Sequence, residues 1–87
     1  MANTPQAKKR ARQAEDHRAR NASALSAMRT EVRKVLKATS GADKAAAQTA
    51  YRAASSMVDR TAAKGIIHRN AAARYKSRLN QRVRAMG

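Results

Sequence analysis

The chain has 87 residues, 20 Lys or Arg against 5 Asp or Glu, and a formal charge of +15. That length holds one domain at most, and the absence of cysteine excludes a disulfide framework, a thiolate metal site and a thiol nucleophile. Three Leu, two Ile, four Val and no Phe or Trp are too few for an enzyme-sized core, but 22 Ala favour helix over strand.

In chain order, the first start signal is Thr4-Pro5, an N-cap residue followed by the proline that suits a helix's first position. No Gly or Pro follows until Ser40-Gly41, where glycine suits a left-handed helix end. The spacing therefore predicts a first helix over 5–39, about 50 Å long at 1.5 Å per residue. Its two halves differ. Leu25, Met28, Val32, Val35 and Leu36 recur at three- and four-residue steps and form one apolar face, flanked and backed by Arg29, Arg33, Lys34 and Lys37. In the first half that face holds only Ala7, Ala11, Ala14 and Ala22, with Arg10 and Arg18 beside it. Burying those guanidiniums would be costly, so the first 20 or so residues are expected to protrude beyond the core as a basic helix.

Asp43 is the expected cap of a second helix, read over 43–63 and ended by Lys64-Gly65. It presents Ala46, Ala47, Ala50, Ala54, Met57 and Val58 on one face. A third helix is read over 68–86, with Ala72, Tyr75, Leu79, Val83 and Met86 on its stripe. Arg69 and Lys76 lie on one side of that stripe, and Arg74 and Arg78 on the other. The expected fold is all-α: a three-helix antiparallel bundle, one domain over 1–87, with a long N-terminal helix protruding beyond the core.

The chemistry-bearing residues are sparse. His17 and His68 are far apart in sequence, and no metal-protease helix motif, glycine-rich phosphate loop or paired-cysteine spacing is present. Glu15 pairs by spacing with Arg18, Asp16 with Arg20, and Glu31 with Lys34, all ordinary helix pairs. Asp43 is accounted for as a cap, Asp59 as a surface acid, and His68 by local hydrogen bonding at a helix entrance. The expectation is no enzyme, no cofactor, no metal and no small-molecule substrate. No apolar run approaches the roughly 18 residues of a membrane span.

The basic residues are a different matter, because acids are too few to balance them. Uncompensated charge of one sign weakens a compact state, and a polyanion relieves it. Lys8, Lys9, Arg10 and Arg12 cover most sides of their helix, which suits a deep groove or junction in a folded RNA better than one flat surface. Arg exceeds Lys by 13 to 7, and arginine forks match phosphate geometry. With no aromatic platform for base stacking, recognition is expected to go through backbone shape and phosphate position. An architectural DNA-binding protein is the alternative, although no dimer seam or minor-groove wedge is visible. A membrane-active cationic helix would want Trp, Phe and Leu on its apolar face.

Several segments together resemble a known family. They are Met1-Ala2-Asn3, Ala7-Lys8-Lys9-Arg10-Ala11, Asn21-Ala22-Ser23, Met28-Arg29-Thr30, Asp43-Lys44-Ala45-Ala46-Ala47-Gln48, Val58-Asp59-Arg60, the run from Ala62 to Asn70, and Ala72-Ala73-Arg74. In this order, across nearly the whole chain, they resemble the bacterial small-subunit ribosomal protein S-twenty family. The pattern departs from the family between Ala53 and Met57 and after Tyr75. The resemblance implies a cytoplasmic, ribosome-bound, three-helix protein that binds small-subunit (16S) ribosomal RNA directly and makes few or no protein contacts. It implies RNA contacts at Lys8, Lys9, Arg10, Arg12, Asn21, Ser23 and Arg29 on the first helix. A second region is implied at Lys64, His68, Arg69, Asn70 and Arg74. Arg18, Arg20, Arg33, Lys34, Lys76 and Arg78 complete the candidate RNA-binding set as further basic residues beside these.

Overall fold

A computed structural model describes residues 4–86. The Met1-Ala2-Asn3 segment lies outside the described residues. The described chain is three α-helices: α1 (Pro5–Thr39), α2 (Lys44–Ala63) and α3 (Arg69–Arg84). Each start has a local chemical reason. The Thr4 hydroxyl accepts from the Ala7 N–H at 3.1 Å with Pro5 at the first helical position. An Asp43 carboxylate oxygen accepts from the Ala46 N–H at 3.1 Å. The His68 ring Nδ1 accepts from the Asn70 N–H at 3.0 Å. Asp43 and His68 are thus caps with extended backbone, so α2 and α3 begin one residue later than the ranges read from sequence. The third helix also stops sooner than expected, at Arg84 rather than residue 86, with Ala85 as its C-cap.

The helix ends differ in chemistry. At the end of α2, Gly65 has φ +75, the Gly65 N–H reaches the Ala62 carbonyl at 2.9 Å, and the Ile66 N–H reaches the Thr61 carbonyl at 3.1 Å. This paired pattern is a Schellman motif, and it requires a residue without a Cβ penalty at Gly65. Gly41 does not do the same: Gly65 is the one positive-φ residue among those described. The end of α1 is closed by backbone and hydroxyl donors together: the Ser40 and Gly41 N–H groups reach the Lys37 and Ala38 carbonyls at 3.2 and 3.1 Å. Thr39 Oγ1 and Ser40 Oγ both donate to the Leu36 carbonyl, at 2.9 and 3.0 Å. With those carbonyls satisfied, the chain turns without a left-handed glycine.

The core is thin and occupies only part of the molecule. Val35, Ala47, Ala54, Leu79 and Val83 form one buried cluster, with Leu36, Ala50, Tyr51 and Met86 packed against it. Met28, Val58 and Ala72 form a second, bordered by Leu25, Met57, Ile67 and Tyr75, and Val32 touches both clusters. Ala46, read as part of the α2 core face, is exposed, and Ala47 next to it is fully buried. Thr61, not anticipated inside, is buried because its hydroxyl donates to the Met57 carbonyl at 2.7 Å and leaves no polar group unpaired. α2 packs more extensively on α1 than α3 does.

From Lys8 through Ser23 every residue of α1 is exposed. Arg10 and Arg18 thus avoid burial, because the helix outruns the bundle. The described molecule measures 62 × 20 × 14 Å with a radius of gyration of 17.5 Å, against about 12 Å for a compact chain of this length. It is a short bundle with a long basic overhang.

Candidate nucleic-acid interface

The overhang arises because α1 keeps its helical period after its partners stop. His17, Arg20, Asn21 and Ala24 fall at steps of three and four, on the face that continues into Met28. Where α2 ends at Ala63, that face changes from apolar to polar. Lys8, Lys9, Arg10, Arg12 and Arg18 lie beyond the bundle, exposed on several sides of the helix. The Glu15–Arg18 and Asp16–Arg20 carboxylate pairs read from spacing are not formed among the described residues. Arg20 instead donates from Nε to the Asp16 backbone carbonyl at 3.5 Å.

Two arms of the molecule meet at one place. A cleft of about 250 Å³ is lined by His17, Arg20, Asn21 and Ala24 from α1, and by Lys64 and Ile66 from the α2–α3 connection. A wider depression of about 510 Å³ adjoins it, lined by Ala19, Arg20, Ser23, Ala24 and Lys64. Lys64 is therefore grouped with Arg20, Asn21 and Ser23 of the first helix, as well as being next in sequence to the α3 entrance. His17 was absent from the sequence-derived set. Its signal was present in the helical stripe it shares with Asn21 and Ala24.

The remaining candidates lie on other faces. Arg29 and Arg33 are exposed along the part of α1 that belongs to the bundle. Lys34 is joined to Glu31 at 3.1 Å, the pair expected from spacing. Exposed Arg69 and Asn70 form the first turn of α3, capped by His68. Arg74 and Arg78 flank Tyr75 and Ala71 around a groove of about 230 Å³, with Tyr75 half-buried against the second cluster. Lys76 is held differently. Its Nζ lies 2.9 Å from an Asp59 carboxylate oxygen, bridging α3 to α2. That hydrogen bond, and then the Asp59 charge, raise the Lys76 ammonium above its ordinary 10.5. Lys76 thus already has an anionic partner inside the protein, which sets it apart from the open cations around it.

No group of three or more His, Asp or Glu among the described residues is placed to hold a metal ion. No helix among them is long and apolar enough to cross a membrane.

Comparison with known proteins supplies an independent line. The family model described as ribosomal protein S20 matches residues 2–84. The chain is 59% identical over 86 residues to small ribosomal subunit protein bS20 of Cellvibrio japonicus, covering 99% of this chain and 98% of that one. It is 55% identical to the bS20 of Ectopseudomonas mendocina, covering 100% of this chain and 95% of the relative. Against that of Hydrogenovibrio crunogenus it is 57% identical, covering 99% of each.

Proposed function

Because the chain belongs to the ribosomal protein S20 family, whose members are structural components of the small ribosomal subunit in the cytoplasm and not enzymes, we propose that it binds small-subunit (16S) ribosomal RNA directly. The mechanism is phosphate neutralisation along the overhang, combined with bracing of RNA helices that otherwise repel one another. One observation carries this reading. A stretch of α1 from Lys8 to Ser23 is exposed on every residue, strongly basic, and free of any packing role in the bundle. A helix that is exposed along its length in this chain, with charge on several sides, fits a groove or junction whose walls are phosphate. The exposed cations on other faces of the bundle (Arg29, Arg33, Arg69, Arg74 and Arg78) offer further surface to a second RNA segment.

The test is RNA binding by the full chain against salt concentration, with transcribed small-subunit RNA. The logarithm of the affinity is expected to fall linearly with the logarithm of salt, with a slope of about −0.7 to −0.9 for each phosphate neutralised. Replacing Lys8, Lys9, Arg10 and Arg12 together by Ala should weaken binding and make that slope shallower by about 3–4, while bundle helicity by circular dichroism is retained. A flat salt response in the parent chain overturns the reading. An unchanged slope in the fourfold variant removes the overhang from it.

A further inference from the structure

One cation from each of two elements meets at the cleft at the root of the overhang. Arg20 arrives from α1 and Lys64 from the end of α2, and both line the same space together with His17 and Asn21. No acidic residue lines it. Two cations brought into one cleft without a counter-charge repel each other, and an anion between them removes that cost. We propose that this notch is a two-jawed clasp for the RNA sugar–phosphate backbone, in which Arg20 and Lys64 hold the same phosphate-bearing stretch and His17 and Asn21 add hydrogen bonds. It rests on the RNA-binding function proposed above.

The local chemistry is arranged for an anion. The Nε of Arg20 is occupied by the Asp16 carbonyl, so the guanidinium is steered along its own helix with its terminal amino groups available. The end of a helix ordinarily offers bare carbonyls that would repel phosphate. Here the Arg60, Thr61 and Ala62 carbonyls accept from the Lys64, Ile66 and Gly65 N–H groups, so that part of the rim is neutralised. Ala24 keeps the floor open, and a Cβ built on Gly65 would meet nothing within 4 Å.

Size and shape favour a chain over a free ion. The cleft is half-open to solvent, unlike an enclosed pocket shaped for one small ion. The adjoining depression shares Arg20, Ala24 and Lys64 and prolongs the notch along α1 past Ser23 and Ala19. A polymer backbone running through both spaces meets the two cations once and small residues on either side.

A double-mutant cycle on the full chain with transcribed small-subunit RNA, at one fixed salt concentration, tests the clasp. Arg20→Ala and Lys64→Ala should each lower affinity about tenfold, the scale of one charged hydrogen bond. If both jaws hold the same stretch, the double variant loses far less than the product of the two single losses. Arg12, about 12 Å further along the helix, serves as the control: Arg12→Ala and Lys64→Ala losses should multiply. Ala24→Leu tests the space without altering charge, and should also weaken binding about tenfold with helicity unchanged. The clasp is overturned if the Arg20 and Lys64 losses multiply, or if either single variant binds as tightly as the parent. Failure of the clasp is separable from failure of the underlying function. If the notch variants are silent but the Lys8, Lys9, Arg10 and Arg12 variant binds weakly, only the clasp falls. If that fourfold variant also binds like the parent chain with an unchanged salt slope, the overhang reading falls with it.

Discussion

At the scale of single residues, Gly65 and Gly41 show how one residue type does two jobs. Gly65 sits at φ +75 and closes α2, and its surroundings would leave an added Cβ in open space. The cost of Gly65→Ala is therefore backbone strain alone, about 1–2 kcal/mol, and should appear as a lowered melting temperature with little change in the fold. Gly41→Ala carries no such backbone term, since Gly41 lies outside the left-handed region, and its added Cβ would sit 3.4 Å from the Ala38 carbonyl, ordinary contact distance. Sequence could mark both glycines as breaks but not separate them. The difference lies in how the last carbonyls are met: at the end of α1 the Ser40 and Gly41 N–H groups and the Thr39 and Ser40 hydroxyls reach them without a left-handed residue. Lys76 offers a second test. Its folded-state value is raised by the hydrogen bond to Asp59 and by that carboxylate's charge. A raised lysine contributes stability that is fully present below its ordinary 10.5 and is lost as pH rises through the folded value. Lys76→Gln should therefore melt below the parent at neutral pH, with the gap between the two closing above about pH 10.5.

At the scale of elements, α1 is two helices in one. From Ala24 onward it is held by the bundle through Leu25, Met28, Val32 and Val35, and from Lys8 to Ser23 its residues are solvated. That division was legible, because apolar residues at helical spacing stop at Leu25 and the residues before it on the same stripe are Ala, Asn and charged groups. The boundaries of the other helices were legible within a residue or two, since Asp43 and His68 announce themselves as caps. The inside of α2 was less so. Three successive alanines give no sign of which faces inward, and only packing against α1 and α3 buries Ala47 while leaving Ala46 exposed. Thr61 was invisible for a related reason: a hydroxyl reads as surface until it is seen donating to the Met57 carbonyl. Met28 is the largest side chain that is fully buried, and it anchors the cluster nearest the overhang. Met28→Ala is expected to cost about 2–5 kcal/mol, comparable to the about 3–5 kcal/mol that a core this small supplies. The measurable result is loss of cooperative thermal unfolding by circular dichroism, whereas Ala46→Ser on the exposed side of α2 should shift the midpoint only slightly.

At the scale of the whole molecule, the notch between α1 and the α2–α3 connection could not be read from the chain, since Arg20, His17 and Lys64 are brought together only by the antiparallel pairing of α1 with α2. Periodicity assigns residues to faces of a helix, and it does not say which turn of one helix ends opposite which turn of the next. The overhang itself makes a further expectation. A helix of about 20 residues without tertiary support is marginal in water, whatever its alanine content. Amide hydrogen exchange on the free chain should therefore be fast from Lys8 to Ser23 and slow around Met28, Val35, Val58 and Leu79. Adding small-subunit RNA should slow the first group markedly. Slow exchange along the whole of α1 without RNA would show a shaft rigid by itself. The exposed stretch from Lys8 to Ser23 also separates two kinds of selection along one polypeptide. A replacement there leaves the packed clusters untouched, whereas one at Leu25, Met28, Val32 or Val35 threatens the knob itself. Reach and charge of the shaft are thereby adjustable dials, open to change without renegotiating the rest of the molecule.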